Sequence, residues 1–151
     1  LAHAGGGDLN KTSNASMIGN SAAAIMRQYW AHVSAGETAA LASFFAEDAY
    51  FEDVALGHSY NGRDHIAGIL TKFFGVMPCR FEVENIIEQG DQFAAQWTVS
   101  GNHTAEILKF PARTGKSFRY RGVSFGVVKD GLIRRKSDYW DFSTLLAQIS
   151  G

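Results

Sequence analysis

Apolar and polar positions change rhythm twice along this chain. From Asn20 or Ser21 to Gly36, Ile25, Met26, Tyr29, Trp30 and Val33 recur at helical spacing. Ser21 or Asn20 caps the start and Gly36 ends the helix. Thr38 then caps a short second helix, "TAALASFFAED", with Leu41, Phe44 and Phe45 on one face. "AYFEDV" switches to alternation and reads as a strand. "ALGHSYNGRDH" reads as a loop into a third helix with Ile66, Ile69, Leu70, Phe73 and Phe74 on one side, which Pro78 prevents from continuing.

From Cys79 the period falls to two. "RFEVENIIEQ" and "QFAAQWTVSGNH" flank the hairpin signal "GD", "AEILKF" and "KSFRYRGVSFGVV" flank "PARTG", and "KDG" leads into "LIRRKSDYW". Ser143 caps a last short helix, "STLLAQI". Helices first, then antiparallel strands, predict an α+β fold with helices on one face of a sheet. A long bent sheet around three N-terminal helices gives a cone-shaped half-barrel with an internal cavity.

The 151 residues suit one domain, placed at 18–151. The opening "LAHAGGGDLNKTSNASM" is small, polar and Gly-rich, and reads as a flexible leader or expression scar over 1–17. With 46% hydrophobic residues and 13% aromatics, the chain has material for a core and an apolar pocket. A net charge of −1 gives no case for nucleic acid or an anionic membrane. No apolar run approaches the roughly 18 residues that cross a bilayer. The single cysteine, Cys79, excludes an intrachain disulfide, reads as a core residue and suits a cytoplasmic protein. Dinucleotide-binding, P-loop and zinc-protease motifs are absent, and His58 and His65 beside Asp64 lack a further metal ligand. The Arg119, Arg121 and Arg134, Arg135, Lys136 clusters read as solvated or ion-pairing faces.

Carboxylates and aromatics remain. One face of "QFAAQWTVSG" carries Phe93, Ala95, Trp97 and Val99, and Asp138 shares a face with Lys136 and Trp140. An Asp buried among aromatics has a raised pKa suited to acid–base work. The alternative is that Asp138 pairs with a neighbouring Lys or Arg.

Three segments, "MRQYWAHVSAGETAALASFFAEDAYFED", "YNGRDHIAGIL" and "RTGKSFRYRGVSFGVVKDGLIRRKSDYWDFSTLLAQI", resemble the SnoaL-like polyketide cyclase branch of the nuclear-transport-factor-2-like superfamily. The resemblance implies a ketosteroid-isomerase-like (cystatin-like) cone and a homodimer through the sheet. Against ketosteroid isomerases, Tyr29 and Asp53 fall on the oxyanion-hole Tyr and the base Asp, while Gly122, Val123 and Ser124 occupy the neighbourhood of the missing Asp. Against limonene-epoxide hydrolases, Asp138 falls on one of two aspartates, and Trp97 and Val99 replace the Arg and the second Asp. Against SnoaL-like cyclases, "SGNHTAEI" resembles "GTHTG" and places His103 on its His, with the acid–base Asp open between Asp138 and Asp141.

The implied function is a cofactor-free cyclase or isomerase acting on a small, largely apolar carbonyl compound. Asp53 or Asp138 moves the proton, Tyr29 or His103 hydrogen-bonds the oxyanion, and Phe51, Trp97, Val99, Tyr120, Gly122 and Trp140 line the pocket. The alternatives are a non-catalytic small-molecule binding module, an interaction module using the sheet, and an epoxide hydrolase. Within "FFAEDAYFED", Glu47 and Asp48 read as turn residues, Glu52 as facing solvent or a base such as Arg63, and Asp53 as the general base facing Tyr29.

Overall fold

The computed structural model describes residues 21–106 and 110–150; the expected leader lies outside them. Helix α1 (Ala22–Ala35) is capped by Ser21, whose hydroxyl accepts from the Ala24 N–H at 3.1 Å, and it closes on Gly36 at φ 75°. Its buried stripe of Met26, Tyr29, Trp30 and Val33 is the one the spacing predicts. Burying each large side chain contributes about 1.5–3 kcal/mol.

The expected second helix differs. Residues Thr38–Phe44 form a 3-10 segment with Glu37 at its N-cap position, and Thr38 is not the cap. Strand β1 (Phe45–Asp53) begins directly after it. Glu47 and Asp48 therefore belong to a strand, because pairing with a distant strand outweighs a helix too short to sustain itself. The segment read as a loop contains an edge strand, β2 (His58–Asn61), antiparallel to β1. Helix α2 (Arg63–Val76) ends before Pro78 as expected.

Strands β3 (Cys79–Gln89), β4 (Gln92–Asn102), β5 (Ser117–Lys129) and β6 (Leu132–Trp140) follow. The expected strand at "AEILKF" is not formed at Ala105, Glu106 or Phe110; the remainder lies outside the described residues. Helix α3 (Phe142–Ile149) is capped by Asp141 instead of Ser143: Asp141 Oδ1 accepts from the Thr144 N–H at 3.0 Å.

The six strands form one curved, open, mixed sheet ordered β2-β1-β6-β5-β4-β3. Only β1 and β6 pair in parallel. That pairing is long-range, and it places Asp53 opposite Asp138 and Phe51 opposite Lys136.

One irregularity sets which side chains of β6 face inward. Across Val127–Val128 of β5, β6 advances from Arg135 to Ile133, one residue more than its partner. This bulge at Arg134–Arg135 reverses the alternation. Ile133 faces the core before it, and Lys136 is buried after it. Gly126 makes room for it: a Cβ there would lie 2.0 Å from the Arg135 carbonyl oxygen.

Candidate active site

The concave side of the sheet and helices α1 and α2 enclose a cavity. It leaves about 70 Å³ for the centres of water-sized spheres. That space takes several waters or one small organic molecule. Its walls are aromatic. Trp97 lies edge-on to Phe81 at 5.1 Å, Tyr120 lies 4.8 Å from Trp140, and Phe51 stacks on Tyr60 at 5.7 Å. Residues of α2, including Leu70 and Phe74, close the opposite side.

Two carboxylates and one ammonium interrupt this apolar lining. Asp138 has both oxygens engaged. Oδ1 accepts from the Ser124 hydroxyl at 2.6 Å, and Oδ2 pairs with Lys136 Nζ at 2.6 Å. Trp97 Nε1 donates to Ser124 Oγ at 2.9 Å, so a chain of hydrogen bonds runs from the cavity wall to the ion pair. The Lys136 side chain is 3% exposed, and its ammonium sits 4.5 Å from the Phe51 ring centre and 5.4 Å from that of Tyr29.

Asp53 is held differently. Oδ1 accepts from the Leu56 N–H at 3.0 Å, and Trp140 Nε1 reaches Oδ1 and Oδ2 at 3.0 and 3.1 Å. No salt bridge joins it to a cation among the described residues. Burial pushes its pKa above the usual Asp value, and the neighbouring Asp138 charge adds to this. The hydrogen bonds from Leu56 and Trp140 and the Lys136 charge work against the rise. Burial, then the Asp138 charge, raises the Tyr29 phenol well above its ordinary value; Tyr120 is raised likewise, chiefly by burial. Both hydroxyls therefore keep their protons at neutral pH. Neither makes a hydrogen bond among the described residues.

Of the residues singled out in the sequence, Asp53, Asp138, Tyr29, Phe51, Trp97, Tyr120 and Trp140 meet at this cavity. His103 does not. It is fully buried beside Phe110, and its Nδ1 accepts from the Thr114 N–H at 3.1 Å. Val99 is a core residue outside the lining. Gly122 lies beneath the lining: a Cβ there would meet the Trp97 ring at 2.4 Å. Asp141 caps α3, which removes it from the choice with Asp138.

Glu52 faces the other side of the sheet and accepts from Ser137 at 2.6 Å and Arg135 at 3.4 Å, in place of the expected Arg63. Cys79 is a core residue whose thiol burial pushes up to about 12. The sequence puts Lys136 both in a solvated or ion-pairing basic cluster and on the face of Asp138; it is buried on the cavity wall and pairs with Asp138. Its two-residue spacing from Asp138 is the signal for that placement. Ser124 and Tyr60 were missed, since a lone Ser or Tyr on a strand carries no pattern.

A curved α+β sheet closed by helices over a cavity is the architecture of ketosteroid-isomerase-like proteins, and solved structures bear this out. A proposed polyketide cyclase from Pseudomonas putida superposes with a TM-score of 0.75 at 22% identity, over 86% of this chain and 98% of that one. One from Xanthomonas campestris gives 0.70 at 25% identity, over 83% and 94%. A ketosteroid isomerase-like protein from Catenulispora acidiphila, solved in complex with trimethylamine, gives 0.69 at 21% identity, over 83% and 91%. A comparison with curated proteins returns no match. The SnoaL-like domain profile matches residues 26–136, and the chain belongs to that family. Among the described residues, no helix is long and apolar enough to cross a membrane.

Proposed function

We propose that this protein catalyses cyclase- or isomerase-type proton transfer on a small, largely apolar carbonyl compound, with Asp53 as the acid–base group. The observation that carries the reading is the division of labour between two carboxylates paired in register. Asp138 is committed to Lys136 and Ser124. Asp53 has a raised pKa, lacks a direct cationic partner and lines the cavity. Paired carboxylates in such different surroundings are suited to separate acid–base and supporting roles.

In the reaction, the Asp53 carboxylate takes a proton from the carbon beside the carbonyl, and the C–H electron pair moves onto the carbonyl oxygen. The protonated Tyr29 and Tyr120 hydroxyls are available donors. Asp53 then returns the proton, either to another carbon of an isomerising substrate or to the alkoxide formed when the enolate carbon attacks a second carbonyl. The proposal extends to assembly. Val123, Phe125 and Tyr139 are 40%, 42% and 49% exposed on the outer sheet face, which suits a homodimer through the sheet.

The test is deuterium exchange from solvent into small cyclic ketones, followed by NMR. The expected result is catalysed exchange that falls by about 100-fold or more in Asp53→Asn. Undiminished exchange in that variant removes Asp53 from the chemistry. Saturable ketone binding with no exchange or turnover makes the protein a binding module.

A further inference from the structure

The Lys136 ammonium has three N–H donors, and a buried cation seeks an acceptor for each. Among the described residues it makes one hydrogen bond, to Asp138 Oδ2. Its other neighbours are the ring faces of Phe51 and Tyr29. A ring face attracts a cation but does not supply the directed lone pair of an oxygen. The side chain also lines the cavity. Donor capacity beyond what the protein uses is thus presented to whatever the cavity holds.

The surroundings match that capacity. Lys136 lies opposite Phe51, and Asp138 lies opposite Asp53, so the ammonium and the Asp53 carboxylate are one pleat apart on the same wall. Asp138 neutralises Lys136, which lets a buried ammonium persist in an apolar site. Ser124, itself held by Trp97, fixes the other Asp138 oxygen.

We propose that Lys136 is an oxyanion subsite: its ammonium binds, by direct hydrogen bond, a ligand oxygen that carries or develops negative charge. Asp138 is then a positioning residue. The ligand class is a flat, apolar molecule with one anionic oxygen, such as a phenolate or an enolate. The enolate case rests on the proton-transfer reading given above; the phenolate case requires no turnover.

Para-nitrophenol separates the two, because its anion absorbs visible light. The other titratable groups lining the cavity with the ammonium are Asp53 and Asp138 on the strands and the Tyr29, Tyr60 and Tyr120 phenols; α2, β3 and β4 present no titratable side chain there. With the intact protein in excess, the ligand's ionisation midpoint should move to lower pH, reflecting about tenfold or greater preference for the anion.

Lys136→Met should reverse that preference. Lys136→Met/Asp138→Asn removes both charges, guards against misfolding caused by an unpaired Asp138, and should abolish the preference while retaining the circular dichroism spectrum. Preferential binding of neutral phenol by the unmodified protein, no binding at all, or an undiminished anion preference in the folded double variant overturns the proposal. Failure of ketone exchange alone overturns the proton-transfer reading and leaves this one standing.

Discussion

Replacing Lys136 with Met removes the ammonium while keeping most of the side-chain length. Asp138 then loses a partner at 2.6 Å in a site where the two side chains are 3% and 16% exposed. Breaking a buried ion pair from one side costs about 3–5 kcal/mol. Asp138 keeps its Ser124 hydrogen bond and a partly open edge, so the expected loss lies near the lower end, about 3 kcal/mol. For a domain of this size that corresponds to about 10 °C in melting temperature. In urea it is a midpoint lower by about 1.5 M at a slope of about 2 kcal/mol/M. Adding Asp138→Asn replaces the stranded charge with a neutral amide whose oxygen still accepts from Ser124. The double variant should recover to within about 1 kcal/mol of the parent, regaining about 2 kcal/mol of the Lys136→Met loss; the coupling is that amount plus the loss in Asp138→Asn alone. The assay is urea unfolding of the parent, both single variants and the double variant at one pH. A single Lys136→Met loss below about 1 kcal/mol, or a double variant no better than the single, would refute the assignment of a buried, mutually dependent pair.

Other outcomes follow from the same geometry. Because the Asp53 pKa is raised in the fold, the native state holds its proton more tightly than the unfolded chain. That contribution is complete below the ordinary Asp value and is lost as pH rises through the raised one. Asp53→Asn should therefore gain stability relative to the parent between pH 4 and pH 7 in urea titrations, while ketone exchange is lost. Gly126→Ala forces a Cβ against the Arg135 carbonyl and should cost about 2–3 kcal/mol or more by thermal unfolding. Gly68→Ala, on an open helical surface, should gain about 0.5–1 kcal/mol. Sedimentation should show a dimer that Phe125→Glu shifts toward monomer; a monomeric parent protein refutes the sheet-face assembly.

Local signals carried the elements that close on themselves. Helix α1 announces itself through Ser21, Gly36 and an unbroken apolar stripe, and the hairpins through "GD" and "KDG". The errors fall where a distant partner decides. Leu41, Phe44 and Phe45 fit a helical face, yet β1 begins at Phe45 because β6 pairs with it from far along the chain. Asp141 and Ser143 are rival caps two residues apart, and the Asp takes the Thr144 N–H while Ser143 donates to it.

For the site, alternation put Lys136, Asp138 and Trp140 on one face, but only family resemblance separated Asp53 and Tyr29 from other acids and aromatics. The same alternation put Lys136 beside Asp138, and the pairing of Asp138 with a neighbouring Lys is what forms; the bulge that separates Lys136 from the exposed arginines is revealed by no short pattern in "LIRRKSDYW".

That bulge works as a frame of reading for the last strand. Beyond it, one set of alternate residues, Lys136, Asp138 and Trp140, lines the cavity, and the other lies on the opposite face of the sheet, where Ser137 is buried against Glu52 and Tyr139 is exposed. Loss of either arginine at 134 or 135, with the hairpin held in place, would exchange the two sets at a stroke, putting a serine and a tyrosine into the cavity. A single-residue insertion or deletion there would therefore exchange one cavity chemistry for another in one step, whereas a substitution on either face changes one side chain at a time.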